Sequence, residues 1–226
     1  MTRTAVLTAL DAEAARLVIA LRDAPSDDFA RPTGCEPWTV RDLLAHVLVG
    51  TQRLPAMLEQ DGPSHADVSA LQYFRNDALG GAVDPERIDR ARRDALEFAT
   101  GADLVAAIVR AVATIDDLAR RETDDRTVWS RWGDAMLLTE YLKTRVVELA
   151  VHGLDLAGAL ACEPWLSDDA ATISAGVLTE ELDDDARRSL TWDRPTLLAK
   201  ATGRLALTPT EAAHPVATTL LWARSP

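Results

Sequence analysis

The sequence predicts an all-α protein, a helical bundle with a short C-terminal extension. Three observations carry this. Segments with apolar residues at a period of 3.6 alternate with polar breaks that contain proline or glycine. Those breaks repeatedly end in Ser, Thr or Asp placed as helix N-caps. The stretch Tyr141–Leu160, YLKTRVVELAVHGLDLAGAL, has no proline and is long enough for about five helical turns.

Thr4 to Asp23 reads as the first helix, with Val6, Leu7, Leu10, Ala14, Leu17, Val18 and Leu21 on one face. A polar break follows, APSDDFARPTGCEPW. The second helix starts after Thr39, an N-cap with Asp42 in capping-box spacing, and Trp38 and Leu43 stand as a hydrophobic staple. It runs to about Leu58, with Pro55 as a kink or stop, and carries His46 among leucines and valines. Gln60 to Asp84 reads as loop with at most one short helix, and Gly80-Gly81 as a turn. Asp84 and Pro85 fit a cap and a first helical turn. Glu86–Ala99 and Asp103–Arg121 are helical patterns, one kinked helix or two, interrupted near Thr100-Gly101. Val128 to Asp134, VWSRWGD, reads as a loop leading into the central helix.

After Leu160 the pattern weakens. Ser167 caps a helix from Asp168 to about Leu182, Asp193 and Pro195 start a short helix ending at Gly203, and Thr208-Pro209 starts another. The bundle is placed at residues 1–160. Residues 161–226 are too few for a second domain of ordinary size and form an extension packed on it. The tetrapeptide CEPW occurs at 35–38 and 162–165, but its surroundings do not match, so it is no repeat.

Composition narrows the function. Hydrophobic residues make up 47% of the 226 and charged residues 27%, which suits a globular protein with a substantial core. A net charge of −12 argues against nucleic acid, whose phosphates need a basic footprint, and against an anionic membrane surface. No apolar run reaches the roughly 20 residues of a membrane span. The N-terminus lacks a signal-peptide core. Cys35 and Cys162 build no disulfide framework. A cytoplasmic protein is expected.

At helical spacing, Tyr141, Arg145, Glu148, His152, Asp155 and Ala159 fall on one line of the central stretch, between two apolar flanks. A narrow polar stripe of this kind points into an interior or a cleft, where charges need partners or a metal. Glu148 and His152 stand one above the other and can reach one cation. With His46 from another helix they make two imidazoles and one carboxylate, a common catalytic zinc set that leaves a position open. Bundles build metal sites this way, from facing helices. The competing reading is a buried, hydrogen-bonded Glu–His pair without metal.

GCEPWTVRDLLAHVLVG at 34–50, the tryptophan–glycine loop at 132–133 and RVVELAVHGLDLAGAL at 145–160 together resemble the DinB/YfiT-like metalloenzyme superfamily. Within it they are most similar to the mycothiol-dependent maleylpyruvate isomerase family. The resemblance covers roughly residues 1 to 160. It implies a four-helix bundle that binds a divalent metal, usually zinc, through His, Glu and His, here His46, Glu148 and His152. It also implies mycothiol as thiol co-substrate, a small electrophile as its partner in the reaction, and a homodimer. The larger isomerases of that family carry a full C-terminal α/β domain, where this chain has a short tail.

The expected chemistry follows from an open zinc position. A coordinated thiol is deprotonated, and the thiolate is the nucleophile. Its attack on an electrophile ends in conjugation, or in addition and release with cis–trans isomerisation. Were water the reactant instead, the metal would activate it for hydrolysis. The other class of function is a non-catalytic bundle that binds a metal or small molecule.

Supporting roles are open. Asp155 lies one turn beyond His152, placed to hold its other ring nitrogen. Asp42 stands one turn before His46 but is first a helix cap. Arg145 either orients Glu148, holds an anionic substrate group, or forms a buried ion pair. His65 and His214 read as solvated or structural, and Cys35 and Cys162, lacking a C-x-x-C partner, are assigned no chemistry. Trp129 and Trp132 read as core or cleft wall, and the acidic run Glu180–Asp185 as a solvated face.

Overall fold

The computed structural model describes residues 1–79, 85–214, 216 and 220, with 76–79 and 85 described by their backbone alone. The elements are α1 (Arg3–Leu21), a 3₁₀ turn (Ser26–Ala30), α2 (Val40–Thr51), α3 (Leu54–Leu58), α4 (Ala70–Leu79), α5 (Pro85–Leu96) and α6 (Gly101–Ala119). A hairpin of β1 (Thr127–Trp129) and β2 (Ala135–Leu137) precedes α7 (Leu138–Leu160). Then come α8 (Asp168–Leu178), α9 (Asp184–Ser189), α10 (Arg194–Ala201) and α11 (Pro209–Ala212). The protein is all-α apart from that two-stranded hairpin. The expected turn at Gly80-Gly81 and the expected cap Asp84 lie outside the described residues.

Four helices form the bundle. α1 packs on α6 and α7, and α2 packs on the same two, so α6 and α7 each lie between α1 and α2. The apolar face of α1 supplies Val6, Leu7, Leu10, Leu17 and Leu21, and α6 answers with Leu104, Ile108, Val112 and Ile115, all buried. The central helix α7 is sheathed further by α4 and α8. Its Thr144, Ala150 and Ala157 are therefore buried along with its apolar flanks.

Local signals set the helix starts. The Thr39 side chain accepts from Asp42 N, and Asp42 reciprocates on the Thr39 backbone, completing the capping box. Ser167 caps α8, Asp193 caps α10 and Thr208 caps α11. The second helix ends earlier than expected, at Thr51, and Pro55 sits in the first turn of a separate α3. A proline is tolerated there because the first helical N–H groups have no intrahelical acceptor. The two patterns around Thr100-Gly101 are two helices meeting at 105°. Thr100 and Asp103 form a capping box at the corner, and Phe29 packs so closely on Gly101 that an added Cβ would stand 2.0 Å from its ring.

The expected loop at 128–134 is largely a hairpin. Thr127 pairs Leu137, Val128 pairs Met136 and Trp129 pairs Ala135. Beyond α7, α8 lies on α1 and α7, and α10 lies on α8 and α7. The buried Glu13 of α1 accepts from Ser167 N at 2.6 Å, pinning the start of α8, and burial raises its pKa. The acidic stretch after Glu180 contains a short helix of its own, α9, capped by Asp183. Among the described residues no single helix is long and apolar enough to cross a membrane.

Candidate metal centre

α2 and α7 face one another across the bundle, and their polar residues meet there. His46 comes from the middle of α2. Glu148 and His152 come from successive turns of α7, as their four-residue spacing requires. His46 Nε2 lies 3.8 Å from Glu148 Oε2, and His152 Nε2 lies 3.4 Å from the same oxygen. Their donor atoms all fall within 4.8 Å of one another. These separations are too long for good hydrogen bonds. They approach the roughly 3.4 Å that separates neighbouring ligands in a tetrahedron with zinc–ligand bonds of about 2.1 Å. The donor set and its spacing fit a divalent cation.

The imidazoles are held from behind. Trp38 stacks on His46, ring centroids 4.6 Å apart and planes 30° apart, and His152 meets His46 edge-on. His152 Nδ1 lies 2.9 Å from Asp155 Oδ2. A carboxylate only accepts, so Nδ1 carries a hydrogen, and it is Nε2 that faces Glu148: protonated in the metal-free protein, and a free lone pair for a cation once that proton is lost. Asp155 is itself held twice by Arg204, through Nε at 3.0 Å and Nη2 at 2.9 Å. The Cys35 thiol donates to the same carboxylate, Sγ to Oδ2 at 3.1 Å.

Cys35, His152 and Asp155 also bring donor atoms within 4.8 Å of one another. There, however, the Arg204 guanidinium already supplies the compensating positive charge. That cluster acts as support for His152 and is a poor second cation site.

Charge at the centre follows from these contacts. Burial opposes ionisation of Glu148, yet the imidazoles of His152 and His46 and the Arg145 guanidinium hold its carboxyl well below the ordinary range. Burial likewise opposes the charge on His152, but Asp155, Cys35 and Glu148 raise its pKa well above the usual value. Burial pushes His46 the other way, downward, against the pull of Glu148. The Asp155 carboxyl, though largely buried, is driven low by His152 and Arg204.

A cavity of about 350 Å³ opens beside Glu148. Val147, Val151 and Trp38 are among its apolar lining, and six arginines, Arg53, Arg87, Arg90, Arg131, Arg145 and Arg204, line it together with the acids Glu86 and Asp94. A protein of net charge −12 has gathered six of its cations around one space. Arg145 is buried, its guanidinium 5.1 Å from the Tyr141 ring centroid and beside the Gly50 backbone. It makes no direct ion pair with Glu148 among the described contacts and acts on that carboxylate through its field.

The profile of the mycothiol maleylpyruvate isomerase N-terminal domain family matches residues 7–157. The chain belongs to this family. The match spans α1 through most of α7 and contains His46, Glu148 and His152. No curated protein matches the chain. Two solved structures are similar to it. One is the mycothiol-dependent maleylpyruvate isomerase, at TM-score 0.59 and 18% identity, covering 91% of this chain and 90% of that one. The other is a histidine-to-alanine mutant of the mycothiol-dependent maleylpyruvate isomerase, at TM-score 0.53 and 20% identity, covering 79% and 70%. At these identities the likeness shows the fold.

Among the sequence-predicted residues, the structure brings His46, Glu148, His152 and Asp155 together and sets Arg145 on the cavity wall. Asp42 serves its capping box, and His65 and His214 are exposed. Trp132 lines the cavity as a wall residue, whereas Trp129 is half-exposed and donates to Asp61 O. Two residues were missed, Cys35 and Arg204. Cys35 carried one signal, its place three residues before the stacked Trp38. Arg204, from the extension, carried none.

Proposed function

We propose that the chain is a divalent-metal-dependent enzyme of thiol chemistry that uses mycothiol. It acts as an isomerase of acids like maleylpyruvate or as a related transferase. The observation that carries this is the convergence of two imidazole nitrogens on one oxygen of Glu148 beside an arginine-lined cavity. His46, Glu148 and His152 would hold the cation, and their donor set suits zinc. Bound there, the cation supplies Lewis acidity that favours the thiolate form of an incoming thiol.

The chain's own residues supply the rest. Asp155 keeps the proton on His152 Nδ1 and so reserves Nε2 for the cation. Burial and the charges of Arg131 and Arg145 lower the Arg53 pKa, which marks a concentration of positive charge suited to a substrate carboxylate. Trp38, Val147 and Val151 add apolar surface to the cavity lining. In an isomerisation the thiolate sulfur adds to one carbon of a cis double bond, and the resulting single bond turns. Breaking the C–S bond then returns the thiolate and the trans alkene, so no thiol is consumed.

Metal content of untagged protein, wild type beside His152→Ala, tests the centre. About one zinc per chain, lost in the variant, is the expected result. Thiol-dependent conversion of maleylpyruvate by the zinc-loaded protein tests the reaction. Wild-type protein that keeps no metal after zinc addition and removal of the excess would sink this reading. The polar stripe of α7 would then be an internal hydrogen-bond network.

A further inference from the structure

The cavity beside Glu148 measures about 350 Å³. Pockets of roughly 300–1,000 Å³ enclose one ligand of drug size. A cavity of that size suits a small electrophile together with the sulfur end of a thiol, and a larger thiol would extend beyond it. Mycothiol carries its thiol on an amino sugar joined to a cyclitol, so most of such a co-substrate has to lie against the rim.

One rim element has the form for that task. The turn between β1 and β2 is closed by its own hydrogen bonds. Ser130 N donates to Asp134 O at 2.8 Å, and Ser130 Oγ accepts from Trp132 N at 3.1 Å and from Asp134 N at 3.2 Å. Gly133, at φ +81°, makes the reversal that a side chain would resist. The hairpin beneath is anchored by the fully buried Val128 and Met136. The turn's hydrogen bonds fix the backbone at Trp132, and the residue is 43% exposed. Arg131 lies against the same ring, Cζ 4.1 Å from its centroid, and both residues line the cavity. An indole with a guanidinium stacked on one face presents aromatic surface and hydrogen-bond donors together. The apolar C–H face and the hydroxyl edge of a sugar ring need that combination.

We infer that the Arg131–Trp132 turn is the platform for the polyhydroxylated part of the thiol co-substrate. The inference rests on the thiol reading above and goes beyond it, since no chemistry of the metal centre requires an aromatic residue on the rim. It makes Trp132 a determinant of which thiol is used.

The test has two arms. In the first, mycothiol is titrated into metal-free protein and tryptophan emission is followed for wild type, Trp132→Ala, Trp132→Phe and Trp129→Ala. Saturable quenching in wild type and Trp129→Ala, absent in Trp132→Ala, is expected. In the second, zinc-loaded proteins are compared for kcat/KM with mycothiol and with cysteine. Trp132→Ala should lower the mycothiol-to-cysteine ratio about tenfold through KM, the upper range of one aromatic stack, and Trp132→Phe should recover most of it. Thermal melts and circular dichroism confirm folding. An unchanged ratio, or quenching that survives in Trp132→Ala, overturns the platform while leaving the metal centre standing. If no thiol supports turnover in wild type, the proposed function fails, and the quenching arm decides the platform by itself.

Discussion

Arg204 grips both oxygens of Asp155, although one residue belongs to the C-terminal extension and the other to the central helix. The same carboxylate accepts from His152 Nδ1. The extension thus reaches the proposed metal centre through two hydrogen-bonded steps. Asp155→Asn should weaken zinc binding by roughly ten- to a hundredfold, and Arg204→Gln by less, with one zinc per chain still bound at saturation. Competition with a chromogenic chelator measures this. An Asp155→Asn affinity equal to wild type would show that the carboxylate merely ties the extension down.

The raised pKa of His152 has a signed consequence. In metal-free protein, a base that folding holds protonated adds its full stability below the unfolded pKa, near 6.5. That stability is lost as pH rises through the higher folded value. The urea midpoint of metal-free protein should therefore fall as pH rises from near 6.5 through the higher folded value, and His152→Gln should flatten the fall. Zinc must displace the same proton, so its affinity should climb over that window. Equal pH profiles for the two proteins would contradict the assignment.

At the far end of the extension, Lys200, the Thr208 backbone and Trp192 hold the Glu211 pKa at about 2 against an ordinary 4.5. Its contribution is present above about 4.5 and lost as pH falls through about 2. Trp192 Nε1 donates to Glu211 at 2.6 Å, which gives an optical report. Acidification should change Trp192 emission over that interval. Glu211→Gln should show the acid-state emission already at neutral pH, and a Trp192→Phe protein should show no such transition. A Glu211→Gln spectrum identical to wild type at neutral pH would deny the coupling.

Two glycines should respond to alanine in opposite directions. At Gly101 the new methyl would stand 2.0 Å from Phe29 Cδ1, so Gly101→Ala should destabilise by about 1–3 kcal/mol. At Gly158, within α7, nothing lies within 4 Å of the added carbon. Gly158→Ala should stabilise by about 0.4–1 kcal/mol by restricting the unfolded chain. Urea unfolding gives both numbers, and two shifts of the same sign would contradict the packing described.

What the sequence disclosed follows the range of each interaction. Thr39, Ser167, Asp193 and Thr208 were legible as caps because a cap is settled within four residues. The stripe from Tyr141 to Asp155 was legible because helical periodicity alone aligns it. That His46 belongs with Glu148 followed only loosely from residue types and was strengthened by the family resemblance, since no spacing links two separate helices. Arg204 and Cys35 meet Asp155 from 49 and 120 residues away and leave no periodic trace. The hairpin was missed because strands of three residues offer too few alternations to register. Pro55 misled because it opens a helix as readily as it ends one.

The central helix is wrapped by α1, α2, α4 and α8, and it carries Tyr141, Arg145, Glu148, His152 and Asp155 along a single line. The middle of such a segment is expected to open last, and its amide hydrogens to exchange with solvent far more slowly than those of the exposed turns. The geometry of the proposed metal centre is thereby tied to the stability of the fold rather than to any loop. Changes in what the cavity accepts can then come from substitutions on the hairpin turn and on the cavity-lining face of α5, while the central helix keeps the donor atoms in register.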